Sequence, residues 1–336
     1  MAIQAGAVLN KRYEVLSKVG EGGMGTVWRG HDVVLDREVA VKVMLHPDEA
    51  ALTRFMREAR VGAKLQHPGI TTIHDVDFDG NEVFIVMEFL DGSDLGSILS
   101  RHQGGLKAEQ AVNYVIQACE ALAAAHERGV VHRDLKPQNM FVVTGERLKI
   151  CDFGVAKLVS QQITKIGMGM GTPPYMAPEQ FRDASSVDAR ADLYSLGCVL
   201  YALLTGLPPF LNKSLTLEEF LAHVARVTPE PPRASGPISR QLSDLTLGLL
   251  AKRPQDRPAS ALEVAAELRK VDFAAMPSAE PRAAAWWPHY QKTESVLLQE
   301  PRQEHLQDPR PAQREKSQPG VPWWEQVSRQ RNTPEP

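Results

Sequence analysis

Between Val130 and Val143 the chain reads VVHRDLKPQNMFVV. Both ends are apolar β-formers suited to a core, yet His132, Arg133, Asp134, Lys136, Gln138 and Asn139 sit between them. Burying an unpaired charge costs roughly several kcal/mol per ion, a cost a purely structural segment has little reason to carry. A site for metal and phosphate does have a reason. Downstream, MFVV and RLKI flank the turn TGE, so 141–143 and 148–150 are expected to pair as a short hairpin. If Phe141 faces Ile150, then Asn139 faces Asp152 of CDFG, and two oxygen donors suited to Mg²⁺ come together. Asp134, five residues before Asn139 in the same loop, is placed to take a proton from a substrate hydroxyl.

A second constellation lies nearer the N-terminus. VGEGGMGTV holds Gly20, Gly22, Gly25 and Val27 as G-x-G-x-x-G-x-V between two strand-like stretches. Glycines there let backbone N–H groups approach phosphate oxygens with no Cβ in the way. A dinucleotide fold would need a helix to open at the last glycine. A strand follows instead, which favours a flap over ATP. In VAVKV, alternation turns Val41 and Val43 one way and Ala40 and Lys42 the other. An inward lysine needs an anionic partner. Leu52, Phe55, Gly62 and Leu65 form one helical stripe, and Glu58 lies on it. Lys42 and Glu58 therefore supply each other, leaving the lysine to hold ATP phosphates.

These groups need elements to position them. Residues 13–90 read mainly as strands, with one helix over DEAALTRFMREARVGAKLQ and a turn, DGN, joining ITTIHDVDF to EVFIVMEFL. From residue 94 onward the signal is mostly helical, including AEQAVNYVIQACEALAAAHERG stopping at Gly129 and DARADLYSLGCVLYALLTG stopping at Gly206. The expectation is an α+β chain: an extension over 1–12, a small β-rich lobe over 13–90, a larger helical lobe over 91–273, and a tail over 274–336. The tail holds 10 of 24 prolines and 4 of 5 tryptophans, balances eight basic against eight acidic residues, and keeps no period, which reads as disorder.

Composition sets outer limits. The 336 residues allow about two domains, and 43% hydrophobic with 24% charged residues is ordinary for a globular protein. A net charge of −3 offers no basic field for nucleic acid. Cys119, Cys151 and Cys198 are too dispersed for a disulfide framework or zinc site. No leader layout opens the chain, and the longest apolar stretch, CVLYALLTGLPPFL, is too short to span a bilayer. The expected setting is soluble and cytoplasmic.

With GEGGMGTV, VAVK, Glu58, HRDLKPQN, DFG, APE and DLYSLG all in family order, residues 10–270 resemble the protein kinases, specifically the eukaryotic-like serine/threonine kinases of bacteria. The resemblance implies a bilobal kinase fold, ATP with Mg²⁺ (or Mn²⁺), and Ser/Thr-bearing protein substrates. Lys42 would contact the α/β-phosphates and Glu58 would hold it. Asp134 would be the catalytic base, Lys136 would neutralise the transferring phosphoryl group, and Asn139 and Asp152 would hold the metal. In VMEFL, Met87 would stand as gatekeeper, with the Glu88 carbonyl and Leu90 N–H meeting adenine. Val19, Gly20, Gly22, Gly25, Val27 and Ala40 would cover the nucleotide, Phe141 would floor it, and Asp94 would reach the ribose. Glu179 with Arg257 would form a buried structural pair, and Asp192 would brace the catalytic loop.

Lys136, two residues past Asp134, and the segment GTPPYMAPE look like the serine/threonine version of the family, although Pro173 and Pro174 depart from the commoner GTxxY pattern. Between DFG and APE the serine and threonine hydroxyls are Ser160, Thr164 and Thr172. Thr164 is the expected autophosphorylation site, pairing with Arg133, with Ser160 second and Thr172 in the docking segment. Two copies of the kinase would meet during that reaction. The Trp286–Trp287 and Trp323–Trp324 pairs are candidate anchors for a tail-binding partner. A pseudokinase would lack one of Lys42, Asp134, Asn139 or Asp152, and none is missing. A small-molecule phosphotransferase would lack the GTPPYMAPE segment.

Overall fold

The structure, a computed structural model, describes residues 3–22, 25–44, 49–80, 82–102, 104–153, 174–182, 187–210 and 216–274. All of them fall within the compact unit Met1–Leu297. The tail with both Trp pairs, the segment carrying Ser160, Thr164 and Thr172, and the side chain of Glu58 lie outside the described residues.

Six strands make the N-terminal sheet: β1 (Val8–Leu9), β2 (Tyr13–Gly22), β3 (Gly25–Asp32), β4 (Arg37–Val43), β5 (Ile73–Asp79) and β6 (Glu82–Glu88). They pair antiparallel in the order β1-β2-β3-β4-β6-β5. The residues before Tyr13, read as an extension, thus contribute a strand, and Leu9 is buried. The strand expected to begin at Ile70 begins at Ile73; Ile70 instead forms a parallel bridge with Ile150.

The period of two sorts the side chains onto two faces. Val39, Val41, Val43, Phe84 and Val86 join Tyr13 and Val15 on one face. Val83 and Ile85 join Phe55 and Ala59 of helix α1 (Glu49–Gly62) on the other. Lys42, opposite Ile85, turns toward this second face. The two ends of the sheet also meet. The side chain of Asn10 hydrogen-bonds Asp77, and Tyr13 Oη donates to Asp75 Oδ2 at 2.8 Å.

A three-stranded sheet, β7 (Gly92–Asp94), β8 (Met140–Val143) and β9 (Arg147–Ile150), receives the polar loop from His132 to Asn139 at its β8–β9 hairpin. Around it pack helices α2 (Leu95–Arg101), α3 (Ala108–His126), α4 (Pro178–Arg182), α5 (Arg190–Thr205), α6 (Leu217–Arg226), α7 (Arg240–Leu249) and α8 (Ala261–Leu268). Helix α5 is buried over nearly its whole length and ends on Gly206 at φ 90°, the left-handed cap that glycine allows without a Cβ penalty. Helix α6 opens on a reciprocal capping box between Thr216 and Glu219. One large core joins α3, α5, α7, α8 and the β8–β9 hairpin. A smaller one gathers Ala177, Tyr194, Cys198, Phe210, Phe220 and Val224.

Candidate active site

The glycine-rich stretch is the tip of the β2–β3 hairpin. Gly20 faces Val27 and Gly22 faces Gly25, with residues 23–24 outside the described set. Gly25 has φ 151°, and a Cβ there would stand 2.0 Å from Val43 O, so only glycine lets β3 lie this close to β4. Val27 then sits opposite Lys42, and Ala40 opposite Met87. Val19 falls at an irregularity in the β2–β3 pairing and is exposed.

Lys42 is only 7% exposed, and its Nζ lies 2.9 Å from Asp152 Oδ1. Burial pushes the Asp152 carboxyl toward its neutral form, but the charge and hydrogen bond of Lys42 outweigh burial and hold it below the ordinary value. Asp152 has φ 61°, a left-handed turn that follows directly on Cys151. The strand leading to it is tied across the lobes. Ile150 N–H donates to Gly69 O at 2.8 Å, Thr71 N–H donates to Ile150 O at 2.9 Å, and Lys149 Nζ pairs with Glu88 Oε1 at 2.5 Å. A cavity of about 20 Å³, enough for a single water, is lined by Lys42, Thr71, Met87, Cys151, Asp152 and Phe153 among others.

The hairpin register corrects the sequence reading by one residue. Met140 faces Ile150 and Phe141 faces Lys149, so Asn139 stands opposite Cys151, whose N–H donates to Asn139 O at 3.0 Å. The expected pairing needed a four-residue connection between Val143 and Leu148. Gly145 at φ 80° and Glu146 at φ 55° close it in three. Asp152 is thereby one step beyond the position facing Asn139.

Within the loop, Asp134 Oδ2 accepts from Lys136 Nζ at 2.8 Å and from Asn139 Nδ2 at 3.1 Å. The same Nδ2 also donates to Asp134 O at 2.8 Å. Among the described residues Asp134 Oδ1 has no partner, and the side chain is 28% exposed. His132 Nδ1 accepts the Asp134 N–H at 3.2 Å, which leaves the proton on Nε2, 2.9 Å from Cys151 O. One neutral imidazole thus links the loop to the residue before Asp152. Asp192, fully buried at the start of α5, accepts His132 N–H and Arg133 N–H at 2.8 Å each, and His126 Nε2 lies 2.8 Å from its Oδ2. Arg133 has φ 67°, and its Nη2 donates to Val187 O at 3.3 Å.

Other expected residues sit as follows. Glu179 and Arg257 form a two-pronged ion pair at 2.5 and 2.8 Å. Glu88 ends β6, and Leu90 follows it, half-buried. Phe141 pairs with Asp94. The Asp94 carboxylate caps α2, accepting Ser97 N–H at 2.9 Å and Ser97 Oγ–H at 2.5 Å. Glu58 lies in α1. Sequence reasoning missed His126, Lys149 and Gln180, each of which acts across a long separation with no local pattern to mark it.

Asn139 Oδ1 and Asp152 Oδ2 are left without partners among the described residues, and both are hard oxygen donors of the kind that divalent cations such as Mg²⁺ take.

The profile of the protein kinase domain family matches residues 13–272. The chain is 40% identical over 283 residues to serine/threonine-protein kinase pkn3 of Myxococcus xanthus, covering 80% of this chain and 51% of that protein. It is also 40% identical over 282 residues to serine/threonine-protein kinase PknB of Mycobacterium leprae, covering 81% and 44%. The chain therefore spans about half the length of the curated relatives it matches. The crystal structure of the Mycobacterium tuberculosis PknI kinase domain superposes with a TM-score of 0.64 at 28% identity, over 80% of this chain and 99% of that one.

Proposed function

The chain belongs to the protein kinase family, and from that premise we propose that it transfers the γ-phosphoryl group of ATP to serine and threonine hydroxyls of protein substrates. The observation that carries the reading is the arrangement around Asp134. One carboxylate oxygen is held by Lys136 and Asn139, while the other has no partner among the described residues, on a side chain that is 28% exposed and within reach of a substrate hydroxyl. The substrate hydroxyl gives its proton to Asp134 as its oxygen bonds to the γ-phosphorus. The bond from that phosphorus to the β–γ bridging oxygen breaks, and ADP leaves. Lys136 offsets charge on the transferring group, and Lys42, paired with Glu58, steadies the α/β-phosphates. Asn139 and Asp152 would hold a divalent cation, Mg²⁺ with Mn²⁺ as a substitute, which when bound neutralises charge between the phosphates. Val19, Val27 and Ala40 cover the base over a Phe141 floor, with the Glu88 carbonyl and Leu90 N–H at its edge and Asp94 near the ribose.

Residues 13–273 form the catalytic domain in this proposal, divided near residue 90. Thr164 is its activating autophosphorylation site, ahead of Ser160, with Arg133 receiving the phosphate, Thr172 in the docking segment, and two copies meeting for the reaction. The Trp pairs of the tail bind a protein partner, and the setting is the cytoplasm, consistent with the free thiols of Cys119, Cys151 and Cys198. Among the described residues no helix is long and apolar enough to cross a membrane.

The test is the initial rate of phosphate transfer to a generic protein substrate by Asp134→Asn and Lys42→Met. Loss of the base should lower the rate by about 10² to 10⁴ with the fold intact. Near wild-type transfer by either variant would overturn the mechanism.

A further inference from the structure

Gln180 follows Glu179 in α4 and is only 5% exposed. Its side chain faces two ways. Nε2 donates to Arg133 O at 2.8 Å, and Oε1 accepts the N–H of Ala177 at 3.0 Å. The first contact reaches 47 residues back, to the catalytic loop; the second holds the end of the GTPPYMA segment. Arg133 adopts a φ of 67°, which L side chains rarely accept, and Asp134 is the next residue. Asp192 already holds the Arg133 N–H. Gln180 holds its carbonyl, so the unusual conformation is pinned at both ends by side chains from two helices.

We propose that Gln180 is a positioning residue for phosphoryl transfer. It orients the Arg133–Asp134 peptide, and through Ala177 it ties the stretch on which a substrate peptide would lie to the base that accepts its proton. The proposal rests on the reading of Asp134 as that base. The contacts call for an amide, because one atom must donate to a carbonyl while its neighbour accepts an N–H. Leucine can do neither. Glutamate can accept from Ala177, but it sets a carboxylate against the Arg133 carbonyl oxygen until it takes up a proton.

The experiment measures kcat, the KM values for peptide and ATP, and the thermal midpoint for wild type, Gln180→Leu, Gln180→Glu and Asp134→Asn. Gln180→Leu should lower kcat by on the order of tenfold and raise the peptide KM, with the ATP KM within about twofold of wild type. The ratio of Gln180→Glu to wild-type kcat should rise as the pH falls from about 8 to about 5.5, when the new carboxyl takes up its proton and can donate. Wild-type kinetics in Gln180→Leu beside an inactive Asp134→Asn would overturn the role of Gln180 alone. A pH-independent Gln180→Glu ratio, or losses shared by the ATP KM and the thermal midpoint, would assign Gln180 to fold maintenance and overturn it too. Full activity in Asp134→Asn would instead mark the base assignment as the failure and remove the ground of the proposal.

Discussion

Two arginine–carboxylate forks hold the two lobes, and they bury opposite partners. In the helical lobe the Arg257 guanidinium is fully buried, while Glu179 keeps 19% of its side chain exposed. Every remaining donor of Arg257 finds an oxygen: Arg190 O at 2.9 Å, Ala251 O at 2.8 Å and Lys252 O at 3.3 Å, with Tyr194 stacked against it at 4.9 Å. In the sheet the acid is the buried member. Asp32 is fully enclosed, while Arg12, bonded to it at 2.8 Å through both Nε and Nη2, stays 32% exposed. A buried guanidinium cannot shed its charge, so its surroundings must satisfy it permanently. A buried carboxyl can take up a proton, so its contribution depends on pH. The same fork therefore makes a fixed joint in the helical lobe and a titratable one at the end of β3 in the sheet.

Breaking the fixed joint should have the largest effect. Arg257→Leu strands Glu179 in a largely enclosed site, and breaking a buried pair from one side costs about 3–5 kcal/mol. Denaturant midpoints should show that loss, and Arg257→Lys should recover little of it, since an ammonium cannot span both carboxylate oxygens and three carbonyls. A loss below about 1 kcal/mol would place this fork with ordinary surface pairs and erase the contrast. Asp192→Asn should come second. Three donors converge on Asp192, and an amide turns an N–H₂ toward at least one of them, which costs about 1–3 kcal/mol. Because two of those donors belong to His132 and Arg133, kcat should fall by on the order of tenfold to a hundredfold as Asp134 shifts. Loss of stability with unchanged kcat would separate the brace from the base.

What the sequence disclosed follows how local each feature is. The glycine hairpin, the alternation that turns Lys42 away from Val41 and Val43, and the polar loop from His132 to Asn139 all carry short patterns, and the structure repeats them. The hairpin register was legible only to within one residue, because Glu146 adopts φ 55° and nothing about a glutamate announces a left-handed conformation. Strand β1 is two residues long, too short for a period. Helix α6 has a readable start in Thr216-x-x-Glu219, a local capping-box pattern that the structure closes in both directions. Gln180 on Arg133, His126 on Asp192 and Lys149 on Glu88 span 47, 66 and 61 positions, so only the fold brings them together.

The titratable joint supplies the smallest effect and the sharpest test of the contrast. Asp32 is drawn down from an ordinary 3.8 to about 2, chiefly by its hydrogen bond from Arg12, against burial that pushes the other way, with the N–H groups of Leu35 and Val34 adding to the pull. Since the folded value is the lower one, the unfolded chain takes the proton first as the solution is acidified. The stability due to the ionised acid is therefore complete above about pH 4 and is lost as the pH falls toward about 2. Asp32→Asn removes the ionisation and should cost on the order of 1 kcal/mol at neutral pH, because Arg12 remains partly hydrated and can still approach Asp75, 3.6 Å away. Denaturant midpoints followed from neutral pH into acid should show wild type and Asp32→Asn converging across that window. A gap that stays constant down to about pH 2 would mean that the Arg12–Asp32 charge pair contributes nothing to the sheet, leaving the fixed joint of the helical lobe as the one arginine fork that bears on stability.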